Sequence, residues 1–398
     1  MLSKLSVERF KSLVKLELEL GQINLFIGAN GSGKSNLLEA LGVLGAAAFG
    51  RVDDETLLRR GVRPGLPQLY KTAFPLKRKE NVPHILFGAE ATTGATFEVT
   101  LWNPLQNPSP AWRFKTENLR RGINDVVVTR TTTSAGKHNQ EQGMAALRTV
   151  ELQPGDAALE LMNQLRTYSI YCPNTPSLRG LVQDLQAREP VGLAGGRLPE
   201  AVKELLESAR KDISINGMLD EVRDLIDWAR DFSAAPSADV PLSPSAARSR
   251  LVIRFVDRFM VKGRNALTGY DASEGALYVL FCAVLALHPK APRCLAVDNI
   301  DQTLNPRLAQ RLVSALCAWT ARPGVDRQWF LTAHNPAVLD GLPLDDRRIR
   351  LFAVDRDSNG HSRIRRIDLA KALGARPDEG WTLSRMWING LLGGVPNV

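Results

Sequence analysis

A chain of 398 residues with 44% hydrophobic and 23% charged residues has room for one large or two ordinary globular domains and a sizeable buried core. Its formal net charge of +9 permits contact with nucleic acid without requiring it. Four cysteines, Cys172, Cys282, Cys294 and Cys317, form no C-x-x-C pair, which argues against zinc ribbons and disulfide frameworks.

In chain order, Leu2 to Leu20 alternates apolar and charged residues, the pattern of two strands in a half-exposed antiparallel sheet. Gln22 to Ile27 is nearly continuous apolar sequence and reads as a buried central strand. A glycine-rich turn follows, and a helix is expected from Lys34 past Leu44. His84 to Trp102 reads as a strand pair around Thr92-Thr93-Gly94, and the three prolines between Asn103 and Pro110 mark a loop. Around 130–145 the sequence turns small and polar. Glu151 to Arg166, Leu178 to Arg188 and Leu198 to Arg230 have helical spacing and suggest a helical insertion or lid, with Ala234 to Ala247 as a linker out of it. Strand character returns at Leu251 to Val256. A helix is expected after Ser273, a buried strand at Cys294 to Val297, a helix around Leu308 to Trp319 and a strand at Trp329 to Thr332. Arg350 to Ile367 reads as a hairpin turning at Asp357-Ser358-Asn359-Gly360. The start of the chain carries no signal-peptide pattern, and the longest apolar run, Gly275 to His288, is too short for a bilayer. A cytoplasmic protein with no membrane contact is the expectation.

The segment Gly28-Ala29-Asn30-Gly31-Ser32-Gly33-Lys34-Ser35 has the spacing G-x-x-x-x-G-K-[ST], between an expected strand and an expected helix. Glycines let backbone N–H groups curl around phosphates, and the helix N-terminus adds positive potential. Lys34 would reach the β- and γ-phosphates of ATP, and the Ser35 hydroxyl would hold Mg2+. A second signal is Arg293 to Asp298, a hydrophobic strand ending in a carboxylate suited to the same Mg2+. Alone it is common; beside a P-loop it gains meaning.

Together these segments resemble the ABC-class ATPases of the SMC, RecF and OLD-like group, particularly the single-head AAA-family ATPases of bacterial defence loci. The opening "ERFKSLVKLELELGQINLFIGANGSGKSNLLEAL" is similar to that group's first strands and P-loop. The resemblance implies an α/β P-loop head of ABC type: a mixed central sheet with flanking helices, an N-terminal antiparallel β layer and a helical insertion. Nucleotide contacts would come from Gly28, Asn30, Gly31, Ser32, Gly33, Lys34, Ser35 and Asn36. "DASEGALYVLFCAVLAL" resembles the signature segment, so that Ser273 and Gly275 would hold the γ-phosphate of a nucleotide on a second copy. Ser273 also has the place of a helix cap, and the two roles coexist. "NIDQTLNP" resembles the D-loop, and "FLTAHNPAVLDGL" the switch segment, which puts His334 near the γ-phosphate, although a lone histidine is often structural. The tail "LSRMWINGLLGGVPN" resembles the end of these ATPases.

One departure matters. The family's usual Glu after the strand-ending Asp is here Asn299. An amide can position water but cannot take its proton. Asp298, Asn299, His334 and Lys34 are the expected catalytic set, Ser35 and Asp298 the metal ligands, and Asp301 the nearest substitute carboxylate. Hydrolysis is expected to be slow, unless a loose transition state makes general-base help unnecessary. Gln68 is a candidate Q-loop residue. Lys11 either approaches the nucleotide or is a solvated strand residue. Arg248, Arg250, Arg254, Arg258, Lys262 and Arg264 either line a DNA path or form a polar face. The expected division is 1–130 and 249–398 as the two halves of the head, with 131–248 as insertion and linker. The expected role is an ATP-sandwiched homodimer regulating a separate effector, a nuclease or toxin, since no room for a C-terminal nuclease domain is expected. The alternatives are a RecF-like clamp on DNA and a nearly inactive ATP-binding scaffold.

Overall fold

The computed structural model describes residues 1–74, 84–132, 139–182, 184, 186, 188–244, 249–343, 345–368, 371, 374 and 381–394. Arg248, the centre of the small polar stretch (133–138), the end of the expected linker (245–247) and the last residues of the tail motif (395–397) lie outside these.

The chain opens with β1 (Leu2–Phe10), β2 (Leu13–Glu19) and β3 (Ile23–Ile27), followed by α1 (Lys34–Phe49), α2 (Asp54–Leu58) and α3 (Pro67–Tyr70). Four strands follow, β4 (His84–Ala91), β5 (Thr96–Trp102), β6 (Arg113–Gly122) and β7 (Asp125–Arg130). Then come α4 (Met144–Arg148), α5 (Ala157–Thr167), β8 (Ser169–Tyr171), α6 (Thr175–Leu178), α7 (Leu198–Ala209), α8 (Ile213–Leu225) and β9 (Ala229–Pro236). The last part holds β10 (Leu251–Asp257), β11 (Ala266–Thr268), α9 (Glu274–Leu287), β12 (Cys294–Val297), α10 (Pro306–Thr320), β13 (Gln328–Ala333), β14 (Ile349–Arg356), β15 (Ser362–Ile367) and α11 (Leu383–Ile388).

Two six-stranded sheets organise them. The first is antiparallel throughout, in the order β2-β1-β4-β5-β6-β7. The second runs β15-β14-β3-β13-β12-β8, parallel except for β15 at its edge. A small sheet, β11-β10-β9, completes the set.

The central strands are buried on both faces, which is why their sequences are apolar without alternation. Leu25, Leu295, Leu331 and Leu351 join one core with α7, α8, α9 and α10. Phe26, Ala296, Phe330 and Phe352 join the other, with α1, α5 and the first sheet. Helix α9 shows the same logic, since every residue from Ala276 to Leu287 is buried. A helix apolar all round belongs inside a core.

The stretch expected as a helical insertion differs in three places. Strand β8 lies within it and pairs with β12 in the central sheet. The helix expected over Leu178 to Arg188 is instead α6, ending at Leu178 before a left-handed Gly180 with φ 73°. Beyond it the Asp184 carboxylate accepts from Ala194 N at 2.8 Å and turns the chain back; 183, 185 and 187 lie outside the described residues. The long helix over Leu198 to Arg230 is two helices, because Asp212 interrupts it and caps α8 by accepting from Ser214 N at 2.9 Å. The expected linker likewise begins late, since β9 continues to Pro236 in register with β10.

Candidate nucleotide site

Strand β3 delivers the chain to Gly28 at the carboxyl edge of the central sheet. A Cβ there would lie 2.3 Å from the Val354 carbonyl oxygen, so the close approach of β14 demands glycine. Gly31 and Gly33 have φ of 75° and 112°, the left-handed region that glycine enters without cost. The loop thus reverses within a few residues and α1 starts at Lys34, which points the first amides of a 16-residue helix back at the loop.

Lys34 is buried and folds over this loop, donating to the carbonyls of Gly28 at 2.7 Å and Ala29 at 3.0 Å. Burial pushes its pKa down to about 8, against the pull of Asp298 and Asp301. It therefore remains mostly a cation at neutral pH. Ser35 Oγ donates to Asp298 Oδ2 at 2.9 Å. Thr332 Oγ1 donates to the other oxygen, Oδ1, at 2.5 Å and itself accepts from Asn299 N at 2.8 Å. One carboxylate at the end of β12 thereby joins the P-loop serine to the neighbouring strand β13.

Asn299 adopts φ 59°, a left-handed conformation that Asn tolerates better than most residues. Its carbonyl accepts from the Tyr278 hydroxyl at 2.7 Å. Asp301 Oδ2 accepts from His334 N at 2.8 Å and also from Asn335 N, tying the turn after β12 to the turn after β13. Asp301 Oδ1 is buried and has no partner. Burial lowers the His334 pKa, Lys34 lowers it further, and Asp301 and Asp298 oppose both. Its imidazole is neutral at pH 7.

Lys34, Ser35, Asp298, Asn299 and His334 therefore meet around the edge of one sheet. Asn30 and Gly31 lie exposed at the crest of the loop, while Ser32 is buried. Asn36 turns its amide to Ser12 Oγ at 2.8 Å. Ser273 and Gly275 stand instead at the N-terminus of α9. The Ser273 hydroxyl is exposed and caps its own helix, accepting from Ala276 N at 3.4 Å. Asn305, in the D-loop-like segment, caps α10 in the same manner.

Lys11 is not the solvated strand residue of the second alternative. It sits in a tight turn with φ 48°, in an ion pair with buried Glu39 and 4.8 Å from the Tyr70 ring centre. Arg63 Nε holds the same carboxylate at 2.6 Å. Gln68 lies exposed on α3. Arg250, Arg254, Arg258, Lys262 and Arg264 are exposed. Among the described residues no group of three His, Cys, Asp or Glu side chains forms a metal cluster, and no helix is long and apolar enough to cross a membrane.

The residue types fit Mg-ATP. Ser32 Oγ is buried in the loop without a hydrogen-bond partner, and an orphaned hydroxyl there calls for an acceptor such as a phosphate oxygen. The hard oxygen donors of Ser35 and Asp298 suit Mg2+. Sequence reading passed over the partners of these groups. Thr332 was visible only as the residue two before His334, and Ser362, which donates to the Ser32 carbonyl at 2.5 Å from 330 positions away, carries no local signal.

Comparison with known proteins adds to this geometry. Residues 1–60 match the family model of the AAA ATPase domain. Over 45 residues the chain is 53% identical to the DNA replication and repair protein RecF of Glaesserella parasuis serovar 5 (strain SH0165), covering 11% of this chain and 12% of that protein. The match thus spans only about 12% of that relative's length. Among solved structures, the SMC head bound to the C-winged helix domain of ScpA superposes with a TM-score of 0.54 at 13% identity, over 93% of this chain and 99% of the other. The fold is that of an SMC head. The SMC head domain from Thermotoga maritima aligns with a TM-score of 0.45 at 15% identity, over 92% of this chain and 98% of that one. The Smc head with an extended coiled coil, bound to the C-terminal domain of ScpA derived from Pyrococcus furiosus, gives 0.47 at 14% identity, over 94% and 98%. In the SMC-head fold seen here, the antiparallel layer and the mixed central sheet correspond to the architecture the sequence led one to expect.

Proposed function

We propose that this protein binds Mg-ATP at the P-loop and hydrolyses it, and that two copies close around the nucleotide. The observation that carries the reading is the link from Ser35 through Asp298 to Thr332, set directly beneath the Lys34 loop. In the working site Lys34 leaves the Gly28 and Ala29 carbonyls for the β- and γ-phosphates, and the loop amides and Ser32 hydroxyl take phosphate oxygens. Ser35 and Asp298 would hold Mg2+, which when bound offsets charge on the phosphates. Asn299 and His334 orient the attacking water; the Asn299 amide cannot take its proton, and a loose transition state asks mainly for positioning.

The exposed Ser273 and half-buried Gly275, at the N-terminus of α9, support a role towards a second copy. The output we assign is dimer closure, read by a separate effector protein such as a nuclease or toxin. This part rests on the resemblance of the motifs to defence-locus ATPases. The RecF match and the exposed arginines of β10 and its following turn favour a second reading, a clamp on DNA; ATP-dependent DNA binding that falls steeply with salt distinguishes it.

The test is steady-state phosphate release with Mg-ATP, wild type beside Lys34→Ala. Turnover in the wild type, lost with Lys34→Ala, is expected. Equal rates in both would remove the reading.

A further inference from the structure

The back of the P-loop is held by residues from the two ends of the chain. Ser12 lies in the turn between β1 and β2, and Ser362 begins β15. Their hydroxyl oxygens are 2.7 Å apart, and the backbone repeats the link, Ser362 N donating to Ser12 O at 2.9 Å. Ser362 Oγ then donates to the Ser32 carbonyl at 2.5 Å, and Asn36 Nδ2 donates to Ser12 Oγ at 2.8 Å. Both serines are buried, at 2% and 8% exposure, so these bonds are not shared with solvent. The fit is tight. A Cβ on Gly33 would stand 2.0 Å from Ser362 Oγ.

We propose that Ser362, acting with Ser12, is a positioning residue of the phosphate-binding loop. It fixes the Ser32–Gly33 peptide so that the following amides point at phosphate before any nucleotide arrives. The inference rests on the nucleotide-binding reading and deepens it, because it makes the C-terminal hairpin part of the ATP site. The physical reason is pre-organisation. A glycine-rich loop left to itself samples many conformations, and ordering it on binding costs affinity. A hydroxyl that accepts from one side and donates to the loop carbonyl holds one conformation in the free protein. Ser32 O accepts this bond, while the Ser32 N–H already donates to Ala29 O at 3.2 Å. Ser362 touches no expected reacting atom, so it sets how well the loop binds and not how the bond breaks.

The test compares Ser362→Ala and Ser362→Thr with the wild type, with thermal melting to verify folding. Ser362→Ala is expected to weaken Mg-ATP binding about tenfold, the loss of one buried hydrogen bond, while kcat stays within about twofold. Ser362→Thr, which keeps the hydroxyl, is expected to restore most of the affinity. Amide hydrogen exchange of the nucleotide-free protein supplies a separate readout: residues 31–35 exchange faster in Ser362→Ala. Unchanged affinity in Ser362→Ala, or a loss that Thr does not recover, overturns the proposal. Should no variant, wild type included, bind Mg-ATP, the nucleotide reading fails, and the exchange data still judge the latch: equal protection of residues 31–35 in both proteins overturns it.

Discussion

Asn299 has a backbone reason to be asparagine as well as a chemical consequence. At φ 59° a longer side chain such as Glu pays about 1 kcal/mol for a left-handed backbone. Asn299→Glu is therefore expected to destabilise the fold by about that much, and Asn299→Gly by less, in chemical denaturation; equal stability of all three would contradict the argument. Asn299→Ala, which removes the amide, is expected to lower kcat by about tenfold to hundredfold if water positioning is its task. Unchanged turnover would assign that task elsewhere. Gly33 is constrained twice, by φ 112° and by Ser362 Oγ. Gly33→Ala should abolish Mg-ATP binding in a titration; retained affinity would show that the loop relaxes easily. These residues were legible in unequal measure. The P-loop announces itself because its chemistry is local, and Asp301 was noticed only as a spare carboxylate, whereas Thr332 and Ser362 act across strands and have no spacing to read.

Among the elements, the central strands and α9 were plain in the sequence because burial on both faces leaves continuous apolar runs. Strands β6 and β7 were missed. Their sequences, Arg113–Gly122 and Asp125–Arg130, carry many charged side chains, and what stabilises them is tertiary. Glu117 on β6 is an example. Buried at 1% exposure, it accepts from Met144 N at 3.0 Å and Ala145 N at 3.2 Å at the start of α4, and pairs with Arg130 of β7 at 3.0 Å. Burial raises its pKa, against Arg130 and the two amides. Truncation leaves Arg130 buried without its counter-ion, so Glu117→Ala is expected to cost about 3 kcal/mol. Denaturant melts would check this, and a loss below about 1 kcal/mol would mean that water replaces the carboxylate. Strand β8 was hidden for a related reason: at three residues, Ser169–Tyr171, it is too short to show a period.

Over the whole molecule the sequence separates into ends that can be read and a middle that cannot. The segments that meet at the nucleotide site come from both ends, and the middle supplies an edge strand and the helices that cover α9. Its pattern of polar and apolar residues suggests a helical insertion or lid without saying what the helices pack on, because amphipathic helices read alike whether they cover a neighbour or stand alone. Electrostatics also acts at this scale. His84 is pushed down to about 4 by burial, with Lys115, Lys71 and Arg9 adding to the effect, and burial lowers His288 and His334 as well. A depressed histidine pKa means that the unfolded chain takes up the proton first. Stability is then fully present above pH about 6.5 and is lost as pH falls towards about 4. The melting temperature should drop between pH 7.5 and 5, and His84→Gln should lessen the drop; a flat profile would contradict this.

The measurement that bears most directly on the account is equilibrium binding of ATP to the purified protein, with Mg2+ and with the metal chelated, for wild type, Lys34→Ala and Asp298→Asn. Saturable binding is expected in the wild type, strengthened by Mg2+, with Lys34→Ala abolishing it and Asp298→Asn removing the metal dependence. Binding that ignores Mg2+ and survives both substitutions would contradict the site described here.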